Sequence, residues 1–161
     1  MTKKEHHRLD RIDRRILQLL QDDASRSTAD IADAVGLSTT PCWRRIQNLE
    51  RAGYLRRRVA LLDRERLNVG VDVIVAIRAG QHTAEWLAHF ARAVSALPEV
   101  MELYRMSGDI DYLMRVVVPD IAAYDAFYKR LVASVDNIAD ISSSFAMERI
   151  KYTTALPLDY V

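Results

Sequence analysis

A chain of 161 residues suffices for one ordinary domain or two small ones, and a composition that is 50% hydrophobic and 28% charged excludes a wholly disordered polymer. The net charge of +1 conceals an uneven distribution: residues 1–66 carry 15 Lys/Arg against 10 Asp/Glu and residues 67–161 carry 8 against 12, so only the first half suits a polyanion. The lone Cys42 excludes an intrachain disulfide, no opening apolar run resembles a signal peptide, and the longest apolar stretch, around 73–77, is far too short for a bilayer, so the expected setting is cytoplasmic with no membrane partner.

Residues 1–8 are polar and read as a loose arm. The spacing of Leu9, Ile12, Ile16, Leu19 and Leu20 predicts a helix over 10–21, with Asp10 as its N-cap. A short helix follows over 28–35: Ser27 and Asp30 stand at the spacing of a capping box, and Gly36 stands where a helix end favours a left-handed residue. A third helix begins after only a few residues, capped by Ser38 or Thr39, with Pro41 in its first turn and Gly53 beyond its end. Two helices joined by a tight glycine-containing turn behind a longer first helix form a helix-turn-helix pattern. Residues 54–63 have strand-like stretches and predict a wing or a tethering strand.

At about 100° per residue, Cys42, Ile46 and Leu49 fall on one stripe of the third helix, and Arg44, Gln47, Asn48 and Arg51 on the opposite face, with Trp43 on the flank. The latter side chains hydrogen-bond base edges and phosphates. Ser38, Thr39 and Thr40 add hydroxyls and a helix N-terminus suited to phosphate oxygens. The DNA-binding set expected from the sequence is therefore Ser38, Thr39, Thr40, Trp43, Arg44, Arg45, Gln47, Asn48 and Arg51. A further basic run, Arg56-Arg57-Arg58, lies just beyond; on a strand Arg57 points away from its neighbours, so two of the three would meet DNA, unless the run is an ordinary solvated edge. Cys42, on the apolar stripe, is expected to pack rather than to sense redox state.

The second half has a different grammar. Strands are predicted over 71–78, 100–107, 111–118 and 138–150, and helices over 84–96 and from about 119 to 134. That order, β-α-β-β-α-β, is the ferredoxin-like split βαβ arrangement. The fold class is α+β: an N-terminal winged helix-turn-helix domain over 9–55, a linker with a tethering strand over 56–68, and a ferredoxin-like domain over 69–161. Between the two middle strands lies Ser107-Gly108-Asp109-Ile110-Asp111-Tyr112. Gly108 permits positive φ, Asp109 and Asp111 offer carboxylates to an amino group, and Ser107 with backbone amides offers donors to a carboxylate. These are the parts an amino-acid zwitterion needs; a plain hairpin turn uses the same Gly-Asp pair.

The segments LDRIDRRILQLLQ (9–21), VGLSTTPCWRRIQNLE (35–50), AGYL (52–55), ALLD (60–63) and SGDIDYLMRV (107–116) resemble the Lrp/AsnC, or feast/famine, regulators over nearly the whole chain. Within that family TTPCWRR, RVALLD, DYLMRV, YDAFYKRLV and SSFAMERIKYTTALP look most like the DecR-type cysteine-responsive subgroup. The resemblance implies a transcription regulator that binds double-stranded operator DNA, dimerises through the C-terminal domain (often called RAM), and assembles further into a tetramer or an octamer. It also implies an amino-acid effector, L-cysteine or else leucine or methionine, held near Ser107, Gly108, Asp109, Asp111 and Tyr112, with Ser143 close by. Ile110 stands where some relatives have Phe, and Trp43 where others have Leu.

Other classes fit less well. Split βαβ domains host many enzymes, but His82 and His89 lack a third ligand at metal spacing, and neither a Gly-rich phosphate loop nor an activated nucleophile motif is present. No catalytic residue, metal or cofactor other than the amino acid is expected. An assembly scaffold without DNA affinity is the remaining alternative.

Overall fold

The computed structural model describes residues 9–161, so the expected N-terminal arm lies outside the described residues. Those residues form two compact units: 9–60 together with Lys151–Val161, and Leu61–Ile150.

In the first unit, α1 spans Arg11–Asp22, α2 Thr28–Val35 and α3 Thr39–Arg51. Local chemistry sets these bounds. Asp10 accepts from the Asp13 N–H at 2.7 Å while the Asp13 side chain accepts from the Asp10 N–H, which satisfies donors a helix start leaves open. Ser27 and Asp30 do the same for α2. Gly36 ends α2 at φ 70° and turns the chain towards α3. The apolar stripes meet in a core of Ile16, Leu19, Leu20, Ile31, Ala32, Cys42, Ile46 and Leu49. Burial pushes the Cys42 thiol upward, which keeps it protonated and unreactive and suits the packing role.

Two expectations change here. The stretch 55–63 forms neither a wing nor a tethering strand. Its composition favours extended backbone, but a strand needs an edge to pair with, and no ladder bonds reach it among the described residues; Leu61 and Leu62 stay 66% and 74% exposed. Residues 151–161, expected to complete the C-terminal domain, instead belong to the first unit. Gln21 and Leu156 exchange two hydrogen bonds, Nε2 to the Leu156 carbonyl at 3.0 Å and the Leu156 N–H to Oε1 at 2.9 Å. Leu158, in a short 3₁₀ turn over Leu158–Tyr160, packs against the three-helix core.

The second unit runs β1 (Val71–Ala79), α4 (Ala84–Ser95), β2 (Val100–Arg105), β3 (Tyr112–Val118), α5 (Ile121–Ser134) and β4 (Ile138–Phe145). The sheet order is β2-β3-β1-β4 with every neighbouring pair antiparallel, the ferredoxin-like topology. β4 stops at Phe145 rather than reaching 150 because Phe145 pairs with Val73 and its partner β1 begins only at Val71. Val73, Val75, Ile77, Met114 and Val116 alternate onto one face, where Phe90 and Val94 of α4 and Phe127 and Leu131 of α5 cover them. The opposite face carries Ile74, Ala76, Leu113 and Val117 around a buried carboxylate, Asp72. Arg64 and Arg115 both donate to Asp72, the latter at 2.9 Å. Burial alone would push the Asp72 carboxyl upward; the hydrogen bonds from Arg64 and Arg115 outweigh it and hold the group below the usual carboxylate range. No helix of the described residues is long and apolar enough to cross a membrane.

Candidate nucleic-acid interface and effector loop

α3 buries Cys42, Ile46 and Leu49 and leaves the opposite side open. Thr39, Thr40, Arg44, Asn48 and Arg51 are exposed on that side, and the Trp43 ring is 52% exposed beside them. Ser38 is the N-cap residue, yet its side chain makes no capping bond, so the hydroxyl faces outward unspent at a helix N-terminus. Arg44 forms no ion pair among the described residues and is the least committed guanidinium on the helix. Arg51 is steadied by its own helix, donating to the Gln47 carbonyl at 3.3 Å and to Asn48 Oδ1 at 2.6 Å.

Two of the expected residues sit differently. Arg45 is half-buried and its Nη1 donates to Asp10 Oδ2 and Asp13 Oδ1, both at 2.7 Å, so it ties α3 to the start of α1 instead of joining the outward face. Gln47 is also half-buried, and its amide donates to Glu50 Oε2 at 2.9 Å. Glu50 is a residue that helical-face reasoning missed: its other oxygen accepts from Arg58 at 3.2 Å, so one carboxylate links the recognition face to the basic run beyond the helix. The three-residue spacing of Gln47 and Glu50 carried that signal.

In the second unit the loop between β2 and β3 is closed by the Met106 N–H donating to the Asp111 carbonyl at 2.8 Å. Gly108 sits at φ 123° with open space where a Cβ would stand. Three bonds pin the loop to the end of β1: the Asp111 N–H donates to the Ile77 carbonyl at 2.9 Å, the Ala79 N–H donates to Asp111 Oδ2 at 2.8 Å, and Arg78 Nε donates to the Asp109 carbonyl at 2.9 Å. His82 Nδ1 lies 3.7 Å from the other Asp111 oxygen. Ser107, Gly108 and Asp109 are exposed and Asp111 half-exposed, so these four are brought together.

Tyr112 and Ser143 are not. The Tyr112 ring turns into the core, its centroid 4.3 Å from that of Phe90, and burial pushes its phenol upward. Ser143 pairs with Val75 on the far side of β1 from β3 and shares a 2.5 Å hydrogen bond with the Tyr124 hydroxyl beneath α5. Strand alternation places both hydroxyl-bearing side chains on the helix-covered face, away from the exposed loop.

The AsnC-type helix-turn-helix domain matches residues 9–50, and the Lrp/AsnC ligand binding domain matches residues 72–156. The DNA-binding transcriptional activator DecR of Escherichia coli is 51% identical over 151 residues, covering 94% of this chain and 99% of that protein. Among solved structures, an AsnC family transcriptional regulator from Agrobacterium tumefaciens superposes with a TM-score of 0.92 at 63% identity, covering 94% of this chain and 99% of that one. A transcriptional regulator from Neisseria meningitidis in complex with L-Met superposes with a TM-score of 0.90 at 33% identity, covering 95% of this chain and 99% of that one.

Proposed function

The chain belongs to the Lrp/AsnC family, and from that premise we propose that it is a sequence-specific DNA-binding transcription regulator whose DNA affinity or assembly responds to a small amino acid. The observation that carries the reading is the two-faced α3: an apolar stripe locked into the helical core and an outward side bearing Ser38, Thr39, Thr40, Trp43, Arg44, Asn48 and Arg51. A helix of this kind enters the major groove, where arginine and amide side chains discriminate base edges and hydroxyls fix the phosphates. Gln47 joins the contact once its amide leaves Glu50, and Arg45 serves it indirectly by holding α3 against α1.

The effector site in this reading is the exposed turn of Ser107, Gly108 and Asp109 with Asp111 beside it. L-cysteine is the effector that the DecR-like resemblance favours. Methionine is the second reading, supported by the L-Met complex of the Neisseria relative. Self-association is supported by the sheet face that α4 and α5 leave uncovered, where Ile74, Ala76, Leu113 and Val117 lie together.

Gel shifts across a salt series, paired with calorimetric titration of L-cysteine, L-methionine and L-leucine, test both halves. DNA binding that weakens steeply with salt, together with heat on adding cysteine, is expected. Absence of any shift at low salt reverses the regulator reading. Heat with methionine and none with cysteine reverses the effector assignment.

A further inference from the structure

Beyond α3 the chain carries three consecutive arginines that the recognition face does not use. Gly53 turns the chain at φ 82°, and the N–H groups of Tyr54 and Leu55 both donate to the Leu49 carbonyl, at 3.0 and 3.5 Å. Leu55 then packs against the helical core. The backbone therefore leaves α3 from an anchored point, and the arginines begin one residue later. Arg56, Arg57 and Arg58 are all exposed and line an open groove with Leu55 and Glu50.

All three side chains are exposed and border the same groove, so all three are available to one ligand. Arg56 and Arg57 have no carboxylate partner among the described residues. Arg58 has one, Glu50, the residue that also holds the Gln47 amide. Three guanidinium groups lining one groove with a single carboxylate leave an excess of positive charge that an array of anions relieves. The groove reaches the last turn of α3 through Glu50, and DNA offers about one phosphate per 1.7 Å of helix axis.

We propose that Arg56–Arg58 forms a second DNA-contacting element, a sequence-independent clamp on phosphates beside the groove that α3 enters, with Arg58 masked by Glu50. This rests on α3 facing DNA. Arg56 and Arg57 bind phosphate directly. Arg58 does so only when phosphate displaces the Glu50 carboxylate, so Glu50 holds down non-specific affinity.

The test is binding of the full chain to a labelled mixed-sequence duplex between about 50 and 200 mM salt. Arg56→Ala and Arg57→Ala are each expected to flatten the slope of log affinity against log salt by about 0.9. Arg58→Ala is expected to change it little in the native background and by the full amount in Glu50→Gln, which itself binds the duplex more tightly than the native chain. Unchanged slopes in the Arg56 and Arg57 variants, while Arg44→Ala still weakens binding, overturn the clamp and leave the α3 reading standing. Equal losses from Arg58→Ala in both backgrounds overturn the masking. A native chain that fails to bind the duplex at low salt overturns both the clamp and the reading beneath it.

Discussion

Arg45 on α3 reaches Asp13 on α1 at 2.7 Å, and that aspartate is only 2% exposed. The same nitrogen also meets Asp10, the N-cap of α1. One guanidinium therefore neutralises a buried carboxylate and fixes the angle at which the recognition helix leaves the core. Arg45→Ala removes the hydrogen-bonded counter-charge from the buried Asp13 carboxylate, and a loss of about 1–3 kcal/mol is expected in urea unfolding of the full chain. An unchanged midpoint shows that the ion pair of Arg45 contributes nothing.

Arg44, one residue earlier, should behave in the opposite way. It is exposed and unpaired among the described residues, so Arg44→Ala is expected to leave stability within about 0.5 kcal/mol. Its operator affinity should fall by about 1–3 kcal/mol if the side chain reads a guanine. Comparing the two variants in the same unfolding and gel-shift assays separates scaffold from contact; equal operator affinity in Arg44→Ala removes it from the interface.

Asp111 has two duties that a careful substitution separates. One oxygen takes the Ala79 N–H, while the other faces His82 and the loop. Asp111→Asn keeps an acceptor for Ala79 but removes the charge that would meet an amino group. Calorimetric heat with the amino acid should drop while effector-free DNA binding stays intact. Native heat in this variant moves the ligand elsewhere.

Acid sensitivity should trace to Asp72. Its folded carboxyl lies below its unfolded value of about 3.9, so the folded state is favoured wherever the group is ionised in both states. That contribution is complete above the unfolded value and disappears as pH falls through the lowered folded one. In urea titrations from neutrality to strong acid, Asp72→Asn should flatten the acid limb and lower stability at pH 7, because Arg64 and Arg115 lose their counter-charge. A steep, native-like acid limb in the variant assigns the effect to other carboxylates.

Features written in short-range spacing were legible. The bounds of α2 follow from Ser27, Asp30 and Gly36 alone, and the buried stripe of α3 follows from its period. The sheet order follows from the alternation of elements. Features that depend on a distant partner were not legible. Arg45 has the same local pattern as a base-reading arginine; only the arrival of Asp13 from 32 residues away distinguishes it. Strand-like composition at 55–63 says nothing about whether an edge waits for it. Tyr112 and Ser143 carry hydroxyls suited to a ligand, but the register that turns both beneath the helices is a property of the assembled sheet.

The return of residues 151–161 to the helical unit closes a loop in the connectivity, since the chain passes between the two units at residues 60–61 and again at 150–151. A protease that cuts at the first passage is expected not to release the three helices as a separate fragment: Leu158 packed against their core and the paired bonds of Gln21 and Leu156 still hold them to the remainder. A helix-turn-helix fragment ending at Ala60 is a different object, without the Leu158 contact on its core and the Gln21–Leu156 bonds.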